Sequence, residues 1–146
     1  MENNIISNNF TYSEFEESEK ALELGIDNHI PSDKIRYAIR LLVLNLLQPL
    51  RDYLGRPVIL NSGYRCRKLN IAVKGAKDSQ HMKGEAADIR CENALDVLFV
   101  AQNILRHKLP FDQMVLYSTF IHLSFCANGP QRGQICYNKS YKEAEL

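Results

Sequence analysis

Apolar and polar positions mark out a short series of elements. Thr11 is followed three residues later by Glu14, and Phe10 and Phe15 occupy the positions of a hydrophobic staple, so the pattern predicts a short helix starting at Thr11. Residues 1–8 are expected to form a loose arm. After Pro31, Ser32 suits an N-cap and Asp33 the positive end of a helix dipole; Ile35, Ile39, Leu42, Leu46 and Leu50 then recur at helical spacing up to Gly55. Leu41-Leu42-Val43-Leu44 is apolar on several sides, which predicts a helix covered all round, with a kink where Pro49 removes a backbone donor.

Beyond Arg56-Pro57 the period changes. Val58-Ile59-Leu60 predicts a short buried strand running into the turn residues Asn61-Ser62-Gly63. A second short helix fits 65–73, and Lys74 to Ser79 form a polar loop. Ala87-Asp88-Ile89-Arg90 has strand character, and its period of two sends Asp88 and Arg90 to one face and Ala87 and Ile89 to the other. Asn93 can cap a helix through Lys108 whose stripe is Ala94, Val97, Leu98, Ala101, Ile104 and Leu105, with Pro110 stopping it. Two β-rich runs, 113–117 and 120–125, follow around Ser118-Thr119; in the second, Ile121, Leu123 and Phe125 alternate with Phe120, His122 and Ser124. His122 therefore projects opposite the core face. Residues 134–137 fit an edge strand, and the tail over 139–146 is expected to be loose. The pattern is α+β, a small antiparallel sheet flanked by helices.

Composition adds bounds. The 146 residues suit one domain spanning 1–146, and 45% hydrophobic against 24% charged residues argues for a folded chain. Lys plus Arg (18) nearly balance Asp plus Glu (17), so no global field attracts nucleic acid or an anionic membrane. Locally, Arg65, Arg67, Lys68, Lys74, Lys77 and Lys83 face only Asp78 between positions 65 and 83. Aromatic interleaving, apart from Tyr64, is missing there, which disfavours single-stranded nucleic acid as the partner. The longest apolar run, Leu41 to Leu47, is far short of the ~20 residues that cross a bilayer. Cys66, Cys91, Cys126 and Cys136 form no metal or redox spacing, so free thiols are expected. With no basic-then-apolar leader at Met1 to Ser7, the expectation is synthesis in the cytoplasm without a signal peptide, as a monomer.

The chemistry concentrates in Ser79-Gln80-His81-Met82-Lys83-Gly84-Glu85-Ala86-Ala87-Asp88. Small residues between His81 and Asp88 let the backbone bend closely, so an imidazole from a loop and a carboxylate from a strand can converge. His122 completes a set of two His and one carboxylate if its strand lies beside that of Asp88, a set that suits catalytic zinc with an open fourth position. The spacing by itself equally allows a surface His81, an Asp88 that caps a turn and a His122 satisfied within the sheet. His29 and His107 fall in a loop and near a helix C-terminus, where they need no site.

Ser79, His81, Gly84, Ala86 and Asp88 match S-x-H-x-x-G-x-A-x-D, Ser62-Gly63-Tyr64-Arg65 matches an upstream S-G-Y-R, and His122-Leu123-Ser124 a downstream H-x-S. With Phe111-Asp112-Gln113, these residues resemble the zinc D-Ala-D-Ala carboxypeptidase family, which includes D-Ala-D-Ala dipeptidases and phage L-alanyl-D-glutamate endopeptidases. The likeness runs from about Phe10 to Tyr137. It implies the family's hedgehog-like fold and Zn2+ held by His81, Asp88 and His122. It further implies Arg65 paired with a substrate carboxylate, Ser79 lining the pocket, and hydrolysis of D-amino-acid-containing bonds in peptidoglycan stem peptides or crosslinks. A murein hydrolase of phage, prophage or bacterial kind, reaching the cell wall on release, is the matching expectation. One position departs: the acid usually found three residues before the last zinc His is here Thr119, whose hydroxyl cannot accept a proton as a carboxylate does. Glu85 and Asp112 are the substitutes available as water-activating base. A zinc-containing wall-binding module with weak catalysis is the alternative.

Overall fold

The computed structural model describes residues 3–146. Thr11 caps the first helix reciprocally with Glu14: the Glu14 amide donates to Thr11 Oγ1 at 3.4 Å and the Thr11 amide to Glu14 Oε1 at 2.9 Å. Phe10 and Phe15, the two halves of the staple, are both buried. Residues 1 and 2 of the expected arm lie outside the described residues; from residue 3 on it is less loose than its sequence implies, because β1 (Ile5–Ser7) pairs antiparallel with β2 (Phe10–Thr11), and Ile6 packs against the core. A three-residue strand held by its neighbours leaves no period to detect. α1 (Tyr12–Glu16) is followed by α2 (Glu19–Leu24), which the hydrophobic pattern does not announce, since Leu22 and Leu24 are exposed; Ser18 at its N-cap and left-handed Gly25 at its end delimit it instead.

Ser32 accepts from the Ile35 amide and starts α3 (Asp33–Leu42), which continues through a π-helical turn (Val43–Leu47) into α4 (Gln48–Leu54). Pro49 explains the π turn: its ring lacks an N–H and would collide with the Asn45 carbonyl in a regular helix, so the ladder widens just ahead of it. Ile39, Leu42, Val43, Leu46, Leu47 and Leu50 are all fully buried, but Leu44 is 42% exposed and Leu41 only partly covered, so the helix is buried along one broad face and not all round.

β3 is Leu60–Ser62, two residues later than the apolar run suggests. Its partner β4 (Ala86–Arg90) ends opposite it, with the Arg90 amide donating to the Ile59 carbonyl, so Val58 is buried without a strand to pair with. Between them lie α5 (Arg67–Ala72) and a 3-10 turn at Gln80–Lys83. α6 (Ala94–Arg106) is capped by Asn93; its buried stripe contains Val97, Val100, Ala101 and Ile104, while Leu105 points outward. β5 (Gln113–Leu116) and β6 (Phe120–Ser124) form the expected hairpin and β7 (Gln134–Tyr137) the expected edge.

The sheet order is β3-β4-β6-β5-β7, antiparallel except for β5 with β7, which run parallel. Register places Ala87 opposite Leu123 and Ile89 opposite Ile121, with Met114 and Leu116 beside them; this face packs into the core shared with the helices. The same register turns Asp88, His122 and Val115 together to the other face. The segment over 139–146 has no regular element, yet Tyr141 is buried. All four cysteines are free thiols, and burial, assisted by the charge of Asp96, pushes the Cys91 thiol up to about 12. Among the described residues no helix is long and apolar enough to cross a membrane.

Candidate metal centre

Asp88 and His122 are direct cross-strand partners of β4 and β6, so the sheet itself brings carboxylate and imidazole together. His122 Nδ1 lies 2.9 Å from Asp88 Oδ1. His81 reaches the same oxygen from outside the sheet, its Nε2 at 3.2 Å. The 3-10 turn that carries it begins at Ser79, whose Oγ accepts from the His81 amide, and ends at Gly84. Gly84 has φ +74°, and an added Cβ would lie 2.8 Å from the Ile35 carbonyl, so only glycine lets the turn rest on α3.

The S-G-Y-R segment supports His81 from the other side. The Gly63 carbonyl accepts from His81 Nδ1 at 2.7 Å, and the Arg65 amide donates to the His81 carbonyl. Gly63 itself packs on Phe15, where a Cβ would come within 2.8 Å of the backbone. Buried Asn28 holds the segment in place, its side chain accepting from the Cys66 amide and donating to the Tyr64 and Glu16 carbonyls.

This arrangement fits a cation. A carbonyl only accepts, so the proton of a neutral His81 ring resides on Nδ1 and the Nε2 lone pair faces Asp88. One ligand atom from each of His81, Asp88 and His122 lies within 4.8 Å of the others. Two imidazole nitrogens and one carboxylate oxygen, converging at a cleft, are the donor set of a catalytic zinc site with an open position. Burial pushes the Asp88 carboxyl pKa up, but before a cation binds, the protonated forms of His122 and His81 donate to it and add their charge, which outweighs burial and holds the group well below the usual carboxylate range; a cation among the three groups takes the place of those protons. Asp88 is thus an anion at neutral pH, as a metal ligand requires.

Arg65 stands beside the triad, with Nη2 3.4 Å from Asp88 Oδ2, Nε 3.1 Å from Ser62 Oγ and Nη1 3.3 Å from Asn70 Oδ1. Three of its five N–H donors are engaged and two remain. Ser79 lines the cleft while its hydroxyl caps the turn. The cleft encloses about 730 Å³, and Tyr117, Phe120 and Arg132 form further walls.

The two candidate bases are placed differently. Glu85 lines the cleft, but its carboxylate accepts from the Ala127 amide at 2.8 Å and from Gln80 Nε2 at 3.3 Å rather than reaching the triad. Asp112 is buried under Arg132, which donates to it through Nε, Nη2 and its own amide, and Gln80 Nε2 adds a bond of 3.1 Å. The Arg132 hydrogen bonds hold the Asp112 carboxyl below its ordinary value, so it is a weak proton acceptor. Thr119 is exposed in the β5–β6 turn, engaged through its carbonyl with the Cys91 amide. Tyr117, Gln80, Asn28 and Asn70 escape a reading of the sequence, because each acts through partners more than ten residues away or through a turn geometry that only the fold supplies. The one available signal is the parity of Gln113, Val115 and Tyr117 along β5.

A comparison with curated protein sequences finds no significant match. The family described as Peptidase M15 matches residues 8–124, which includes His81, Asp88, His122 and the S-G-Y-R segment. With that match covering most of its length and a zinc-type donor set at its cleft, the chain belongs to the Peptidase M15 family of zinc-dependent peptidases.

Proposed function

We propose that the protein hydrolyses D-amino-acid-containing peptide bonds in bacterial peptidoglycan, at stem peptides or crosslinks, as a murein hydrolase of phage, prophage or bacterial kind that meets the wall on release from the cytoplasm. The observation that carries this reading is the convergence of His81, Asp88 and His122 at the floor of a cleft that also holds Arg65. These three residues would hold Zn2+, which supplies Lewis acidity toward a peptide carbonyl and toward water.

The chain's own groups supply the rest. Arg65 is held by Ser62, Asn70 and Asp88, so its two remaining donors are presented in a fixed orientation to a peptide carboxylate. Ser79 and the Gly63 carbonyl keep His81 from rotating away. Glu85 is the stronger choice of proton acceptor, since it lines the cleft and Asp112 is bound up with Arg132. Incubating purified muropeptides with zinc-loaded and chelator-treated protein, then weighing the products by mass spectrometry, tests the function. Zinc-dependent release of a D-amino acid or a cut stem is expected. Binding of muropeptides without any cleavage would instead favour a wall-binding module.

A further inference from the structure

The β5 strand ends at the mouth of the cleft with a tyrosine that the ligand set does not use. Val115 pairs with His122, so Tyr117, two residues on, projects to the same face as His122 and Asp88, and it lines the same cleft. Its main chain turns back there, the Tyr117 amide donating to the Phe120 carbonyl at 3.1 Å. Its ring stacks on Phe120, centroids 4.1 Å apart and planes 15° from parallel, which fixes the direction of the phenol. Among the described residues the hydroxyl makes no hydrogen bond, although it is close enough to Asp88 and Arg65 to feel both charges. Burial, and then the Asp88 charge, push its pKa above the ordinary tyrosine value, against Arg65, so it keeps its proton at neutral pH.

A half-buried, oriented and protonated hydroxyl without a partner, on the wall of a cleft beside three converging ligands, is a donor awaiting an acceptor. We propose that Tyr117 Oη–H donates a hydrogen bond to the carbonyl oxygen of the peptide bond that reacts at the His81–Asp88–His122 centre. The contact rests on the peptidase reading of the cleft. It strengthens as negative charge develops on that oxygen, and no proton leaves the phenol. Phe120 positions the ring, while Arg65, with one donor on each nitrogen already committed, is left to the substrate carboxylate.

Tyr117→Phe removes one oxygen and keeps the ring stack, so folding and zinc content should match the unsubstituted protein. The test is calorimetric titration of both zinc-loaded proteins with a phosphinate analogue of a D-Ala-D-Ala dipeptide, whose tetrahedral oxygens mimic the developing oxyanion, alongside muropeptide turnover. The variant should bind the phosphinate at least about tenfold more weakly, bind an uncleaved peptide equally well, and lose about 10²–10³-fold in kcat with little change in KM. Equal phosphinate affinity in the two proteins would overturn the contact, whatever the turnover. Phosphinate binding by neither protein would overturn it as well. If the unsubstituted protein cleaves nothing while Tyr117→Phe still weakens the phosphinate, the contact stands and the hydrolase reading falls.

Discussion

At the scale of single residues, the centre depends on atoms that have two jobs. Asp88 Oδ1 faces both imidazoles while Oδ2 takes Arg65, so each candidate ligand is oriented by a neighbour before any cation arrives. His122→Ala removes one of three donors and should abolish stoichiometric zinc, read by plasma emission on dialysed protein; full zinc in that variant would remove the site. Arg65→Lys replaces a fork that spans Ser62, Asn70 and Asp88 with a point charge that cannot. It should lower peptide hydrolysis at least about tenfold while zinc content holds, the size of one lost charge-assisted hydrogen bond. Glu85→Gln should cut hydrolysis about 10²-fold with zinc retained, and the amide can still accept from Ala127, so a loss of activity would report proton transfer rather than folding. Unchanged rates would transfer the role of base elsewhere.

Elements place these residues by simple rules. β4 and β6 alternate, so the register that turns Ala87, Ile89, Ile121 and Leu123 to the core necessarily turns Asp88 and His122 to the cleft, and a slip of one residue would exchange the two sets. The 3-10 turn does for His81 what the strands do for the other two. Its closing residue, Gly84, combines a positive φ with contact to Ile35 in α3. Gly84→Ala should therefore destabilise the protein by about 1–3 kcal/mol, seen as a lower urea midpoint, and should weaken zinc binding because the strain falls on the turn bearing His81. A variant with an unchanged midpoint and unchanged zinc affinity would show that the turn can shift freely. The π turn ahead of Pro49 has no part in the cleft; it lets one proline sit within a buried helix without breaking the core.

Across the whole molecule, polar tethers join the far edge of the sheet to the cleft. Asp112 binds Arg132 beside β7, its amide donates to the Ser124 carbonyl of β6, and Gln80 links it to Glu85 and to the turn of His81. The Asp112 carboxyl is lowered in the folded state, first by Arg132, so its stabilisation is complete above the unfolded value of about 3.9 and is lost as pH falls through the folded value. Asp112→Asn should cost roughly 1–2 kcal/mol at pH 7, discounted for the exposed side of Arg132, and progressively less below about pH 4. Urea unfolding at pH 7 and pH 3 checks this, and an equal difference at both would assign the effect to packing alone. The amino-acid order by itself determined the α+β class, the helix caps at Thr11, Ser32 and Asn93, the apolar face of the long helix and the hairpin, because each is written in local periodicity, whereas the grouping of His81, Asp88 and His122 was legible only through the likeness of motifs such as Ser79 to Asp88 to a known family. Only the tertiary structure decided the ordering of Ile5–Ser7, the later start of β3, the parallel pairing of β7, the capture of Asp112 by Arg132 and the placement of Tyr117 in the cleft. Each of these follows from register and close approach between segments distant in the chain, which no local pattern encodes.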